Sequence, residues 1–164
     1  MREFSLESFA AFATELAVAM PMAERRALEL AAKVVEDEAK AEIGIYQEGA
    51  GPFGDWDELA DSTKADRGRQ GYPENEPLLR SGEMRDSIGT VIEGHEAHVG
   101  SNDDKAVWQE LGTDKIPPRS FLGHAAVTKS KEVSEIIGRE LFGVLTGEAM
   151  LDPISGEHIG EIEF

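Results

Sequence analysis

Between residues 78 and 126 this chain concentrates nearly all of its rigid turn chemistry, and that leaves few folds open. Leu78, Leu79 and Met84 predict the apolar side of a short helix over 78–88, with Arg80, Glu83 and Arg85 outside and Gly82 in its opening turn. Residues 87–92 include the β-branched Ile88, Thr90, Val91 and Ile92 and suit a strand, 93–96 (Glu-Gly-His-Glu) suit a turn, and 97–100, ending in Gly100, suit a return strand. Asp103 or Asp104 then caps a short helix through Leu111, which Gly112 closes. Ile116-Pro117-Pro118 is stiff and extended, because each proline fixes its own φ and biases the residue before it. A hairpin set among helices implies an α+β fold: a small antiparallel sheet packed against a long amphipathic helix, with additional helices and an extended C-terminal arm.

The flanks supply those helices. Leu6, Phe9, Ala13, Leu16, Ala17 and Met20 recur at spacings of three and four, predicting a helix over 6–19 with Ser5 as its cap. Pro21 is expected to end it and to open a second helix from Met22 to about Ile45, whose apolar side is rich in alanine. Residues 48–54 are too rich in glycine and proline for regular structure. Asp55 could cap a helical turn over 55–60 that turns Trp56 and Leu59 inward, while 67–77 reads as a mobile loop. A last helix is expected over 121–145, with Gly138 as its weak spot. The expected organisation is one domain over 1–145, with 48–77 as a loop-rich insertion, followed by an acidic arm over 146–164.

Charge narrows the function. Acids outnumber bases 33 to 16, a net charge of −17, and the excess is spread along the chain. Gripping nucleic acid by its phosphates needs clustered Lys and Arg, so such a role is disfavoured. The acidity suits solubility, or a surface that stays beside DNA without holding it. There is no cysteine, which excludes disulfides, thiolate metal sites and cysteine nucleophiles. The apolar stretches read as too short and too often charged to span a bilayer, and Glu3, Glu7 and Glu15 interrupt any secretory signal, so a protein cytoplasmic when made and no membrane partner are expected.

Chemistry is sparse. His95 and His98 fall in the turn and return strand with no third convergent ligand, so neither metal nor cofactor is expected. Ser120 and His124 stand four apart at a helix start, which permits a nucleophile and its base, but no strained elbow or oxyanion hole accompanies them. Arg119 has two readings: a local carbonyl cap, or a fixed guanidinium presented to a carboxylate on another subunit. Trp108 is either core filler or an interface anchor. The tail keeps six large apolar residues among five acids, which favours an arm docking on a neighbour over a free one.

Taken in order, Leu79-Arg80-Ser81-Gly82, Asp86-Ser87-Ile88, Val99-Gly100-Ser101, Trp108-Gln109-Glu110-Leu111-Gly112-Thr113 and Pro117-Pro118-Arg119-Ser120-Phe121-Leu122-Gly123 resemble the tail-completion and head–tail joining proteins of tailed bacteriophages, the HK97 gp10-like group. Trp56-Asp57-Glu58-Leu59 matches the segment before that motif, and Ser120 departs from it, standing where the family often has a second proline. The resemblance implies a non-enzymatic virion subunit forming a ring of six at the neck. It would contact a tail terminator or tail tube protein and a head connector, with double-stranded DNA passing through the lumen. Its assembly residues would be Arg80, Arg85, Trp108, Glu110, Thr113, Pro117, Pro118, Arg119, Phe121 and Leu122, on motif glycines Gly82, Gly100, Gly112 and Gly123. Two other readings stand beside it. One is a prophage-derived helical adaptor using the alanine-rich helix as its face; the other is a Ser/His hydrolase.

Overall fold

The computed structural model describes residues 5–146. It is α+β, built from one long helix, one hairpin and several shorter helices. Helix α1 runs unbroken over Leu6–Glu42, 37 residues or about 55 Å, with Ser5 accepting from the Ser8 amide as its cap. Pro21 therefore stands inside a helix rather than between two. Its φ is already helical, and the carbonyl it leaves unpaired belongs to the exposed turn at Ala17, where water can reach it. The good helix formers on both sides outweigh the local break.

Only the second half of α1 is packed. From Ser5 to Met22 no residue is buried, whereas Ala23, Ala27, Ala31, Ala32 and Ala39 are. These small residues let helix α6 (Ser130–Thr146) approach closely with Ile136, Glu140 and Val144. The alanine face expected to serve as an adaptor surface is thus occupied within the chain. The last helix is two pieces, α5 (Leu122–Thr128) and α6, broken at Lys129 and not at Gly138. At that junction Ser130 Oγ returns a hydrogen bond to the Val127 carbonyl, the local competition by which serine unsettles a helix.

The hairpin pairs β1 (Ile88–Glu93) with β2 (Glu96–Ser101), from Ile88 opposite Ser101 to Glu93 opposite Glu96. Gly94, at φ 60°, leads the two-residue turn, as a primed hairpin turn requires. Thr90 Oγ1 donates to Glu36 and His95 Nδ1 meets Glu24, both on α1, so the sheet lies along that helix. The core gathers Ala39, Ile43, Trp56, Met84, Ile88, Ala106, Phe121 and Ala125.

The middle of the chain departs furthest from expectation. Residues 55–60 form no helix, although Trp56 and Leu59 are buried as foreseen. A helix instead occupies Asp61–Arg69 (α2), and the expected helix at 78–88 shrinks to α3 (Glu83–Asp86). Residues 70–79 are held in place: Arg67 donates from Nη1 to the carbonyls of Pro73, Glu76 and Leu79. The arm beyond Thr146 lies outside the described residues. One expectation about membranes fails on inspection of α1. An 18-residue window within this helix carries at most two charged residues and is long and apolar enough, by length and composition alone, to cross a bilayer.

Candidate interaction cleft

Helix α4 (Asp104–Leu111) starts on Asp103, whose side chain accepts from the Lys105 amide, and ends at Gly112. Gly112 sits at φ 73°, and a Cβ there would press on Pro118 and on the Ile116 carbonyl. Glycine is what lets the chain fold back so tightly. The return is then stitched. Arg119 N donates to the Gln109 carbonyl at 2.6 Å. The Glu110 carboxylate accepts from Ser120 Oγ (2.5 Å) and from the amides of Phe121 (2.8 Å), Leu122 (2.9 Å) and Gly123 (2.9 Å). A carboxylate at a helix N-terminus satisfies otherwise orphaned donors and complements the helix dipole, so Glu110 caps α5 from eleven to thirteen residues upstream.

Arg119 completes the clasp. It is 4 % exposed, and its Nε and Nη2 donate to the Asp57 carbonyl, with Nη2 also reaching that of Glu58. Burial holds its pKa below the ordinary arginine value. The expectation of a guanidinium held out to another subunit is corrected here: most of its donors bind carbonyls of its own chain. The three stretches Trp56–Leu59, Trp108–Thr113 and Pro117–Gly123 therefore lie together because they hydrogen-bond one another. Phe121 is fully buried and Leu122 half-buried, so the first belongs to the core rather than to an interface. Gly123 leaves room for the Phe53 ring, which a Cβ would strike. Thr113 Oγ1 accepts from the amides of Lys115 and Ile116, and Arg85 pairs with Asp86.

Ser120 and His124 do not form a dyad. Ser120 donates to Glu110, while His124 is buried with Nδ1 2.6 Å from Glu42 Oε1 and Nε2 donating to the Glu48 carbonyl at 2.8 Å. Burial lifts the Glu42 carboxyl to about 7, against the opposing pull of His124, and its Oε2 has no partner. Burial lowers His124, but its bonds to Glu42 and Glu48 outweigh that and leave it raised. This pair and Arg67 escaped sequence reasoning, since Glu42 and His124 are 82 residues apart and Arg67 binds main-chain carbonyls that no side-chain pattern marks. His95 and His98 meet only Glu24 and Glu96, and among the described residues no group of three potential ligands could hold a metal.

Four of the expected assembly residues do converge. Arg80, Trp108, Pro117 and Arg119 line a cleft of about 770 Å³ between α2, α3 and α4. One wall includes Leu78, whose φ of 62° is strained for a branched residue. Trp108 is half exposed there, and Val107 and Leu111 stand exposed on the same short helix.

The charge pattern of the cleft is distinctive. Arg2 lies outside the described residues. Of the other fifteen Lys and Arg, eleven pair with a carboxylate within 4.0 Å. The remaining four, Arg67, Arg80, Lys115 and Arg119, all line this cleft. Arg67 and Arg119 bind only carbonyls. Arg80 meets Gln70 Oε1 at 2.5 Å and stacks over Tyr72 at 4.9 Å. Lys115 has no side-chain partner among the described residues. Asp57, Glu58, Asp66 and Glu83 also border the cleft, but Glu58, Asp66 and Glu83 are engaged by Lys64, Arg69 and Lys105. The arrangement can take an acidic segment with apolar side chains: guanidinium and ammonium groups for carboxylates, Tyr72 and Trp108 for the rest. Comparison with known proteins gives no match, whether to a family model, a curated protein or a solved structure.

Proposed function

We propose that this chain is a structural subunit that assembles with copies of itself into a ring at the head–tail junction of a tailed phage or phage-like particle. The reading rests on the motif resemblance. The observation that best supports it is the cleft, where four of the residues implied for assembly meet beside the exposed side chains of Val107, Trp108 and Leu111. An exposed aromatic next to Arg80 and Lys115, two exposed cations without a carboxylate partner, is the composition of a protein-binding surface. The acidic exterior would let DNA pass through a lumen without adhering. Negative-stain images and light scattering on the purified full chain test the reading. Rings of uniform size are expected, and a monomer at every concentration would overturn it.

A second reading is favoured by one specific observation. The first half of α1 leaves Leu6, Phe9, Val18 and Met22 exposed, at 56–85 % of their area. A helical adaptor that pairs through this arm, rather than through its alanine face, would be a stable dimer by the same light scattering.

A further inference from the structure

We propose that the cleft receives residues 147–164 of a neighbouring copy of the chain, so that each subunit's acidic tail latches the next. This rests on the assembly reading and names the contact that would close it. The argument is one of charge complementarity. In a chain of net charge −17, eleven of the fifteen described bases already have a carboxylate; of the four in this cleft that lack one, Arg67 and Arg119 are buried on carbonyls, and the exposed Arg80 and Lys115 are left to meet one. Residues 147–164 supply five acids, Glu148, Asp152, Glu157, Glu161 and Glu163, with no Lys or Arg. They alternate with Met150, Leu151, Ile154, Ile159, Ile162 and Phe164, which suit the Trp108, Tyr72 and Pro117 walls.

Geometry favours a neighbour's tail over the chain's own. Lys129 pairs with Glu38 and Arg26 with Glu140, so α6 runs antiparallel to α1 and ends at Thr146 beside the exposed arm. The cleft lies past the opposite end of α1, where Gly44 N bonds the Pro77 carbonyl and Tyr46 accepts from the Leu59 amide. Returning along roughly 23 helical residues is about 35 Å, which uses about ten extended residues before the cleft is reached.

The absence of native cysteine makes the test clean. Ser81→Cys, on the cleft rim, and Ser155→Cys, in the tail, are made in separate full-length chains, mixed, and treated with a short bis-maleimide. Cross-linked heterodimers are expected at least tenfold above a Val91→Cys and Ser155→Cys mixture. Adding Arg80→Glu and Lys115→Glu to the cleft chain should reduce the yield about tenfold, as should high salt, because exposed charges are screened. A chain carrying both Ser81→Cys and Ser155→Cys is treated in parallel, and linkage found only within such single chains would overturn the proposal in favour of self-docking. Linkage no greater than the control would overturn it outright. If rings still form in that case, the latch fails and the assembly reading survives; if the protein is monomeric throughout, the assembly reading fails as well.

Discussion

The clasp around residues 110–124 and the arm over residues 6–22 are opposite solutions to exposing a helix end. In the clasp three successive amides at the start of α5 and the Ser120 hydroxyl meet Glu110, and the cationic Arg119 is buried against carbonyls of its own chain. In the arm the backbone is satisfied by the helix itself, but the side chains have little to pack against, and no residue there is buried. The clasp spends charge on holding one conformation. The arm leaves apolar surface for something else. Stability and association should therefore separate cleanly between the two regions.

The largest effect is expected at Glu110. Glu110→Ala removes four hydrogen bonds to a charged acceptor and should cost about 3 kcal/mol in urea unfolding, given roughly 0.5–2 for a lost cap plus stranded donors. A loss below about 1 kcal/mol would show that water replaces the carboxylate, which would blur the contrast. Arg119→Ala comes next, at about 2 kcal/mol, because the Asp57 and Glu58 carbonyls lose charged donors. Equal melting of variant and parent would show that Arg119 does not hold the fold.

The third prediction concerns pH. In the unfolded chain Glu42 titrates near 4.5, whereas in the fold it titrates at about 7. Between those values the folded state holds a proton that the unfolded chain has released, so stability falls as pH rises through that window. His124, raised above 6.5, contributes below that value and loses its contribution as pH climbs through its folded pKa, so both groups act in the same direction. Melting temperature should decline from pH 5 to 8, and Glu42→Gln should flatten the decline. A parent profile that rises over this range would show the sign to be wrong. The smallest stability effect belongs to the arm: Phe9→Glu should change unfolding by less than about 0.5 kcal/mol, as exposed substitutions do. If the arm is an association surface, the same variant lowers the apparent mass in light scattering, and an unchanged mass would mean the arm is not one.

Local chemistry made part of this legible and left the rest hidden. The hairpin was readable from β-branched residues either side of Glu93-Gly94-His95-Glu96, and α4 from Asp103 and Gly112, because turn and cap rules act over a few residues. Pro21 misled for the opposite reason: the rule is local, but the helix is decided by everything on both sides. Helix α2 gave no signal, since Arg67 is its only buried residue and no apolar stripe exists to be counted. Glu110, Arg119 and the Glu42–His124 pair took their roles from partners 10 to 82 residues away, which no periodicity encodes. Four of the expected assembly residues did converge on the cleft, though Arg119 and Phe121 proved to hold the fold as well or instead.

Arg67 and Arg119 grip main-chain oxygens, and that has a consequence for how such a chain can drift. The positions they hold, 57 and 58 on one side and 73, 76 and 79 on the other, are hydrogen-bonded through their carbonyls, which every amino acid carries. For this purpose their identities are free to wander over generations, while the two arginines are not. The shape is written in a handful of gripping residues, and much of what they grip can be overwritten without unfastening it.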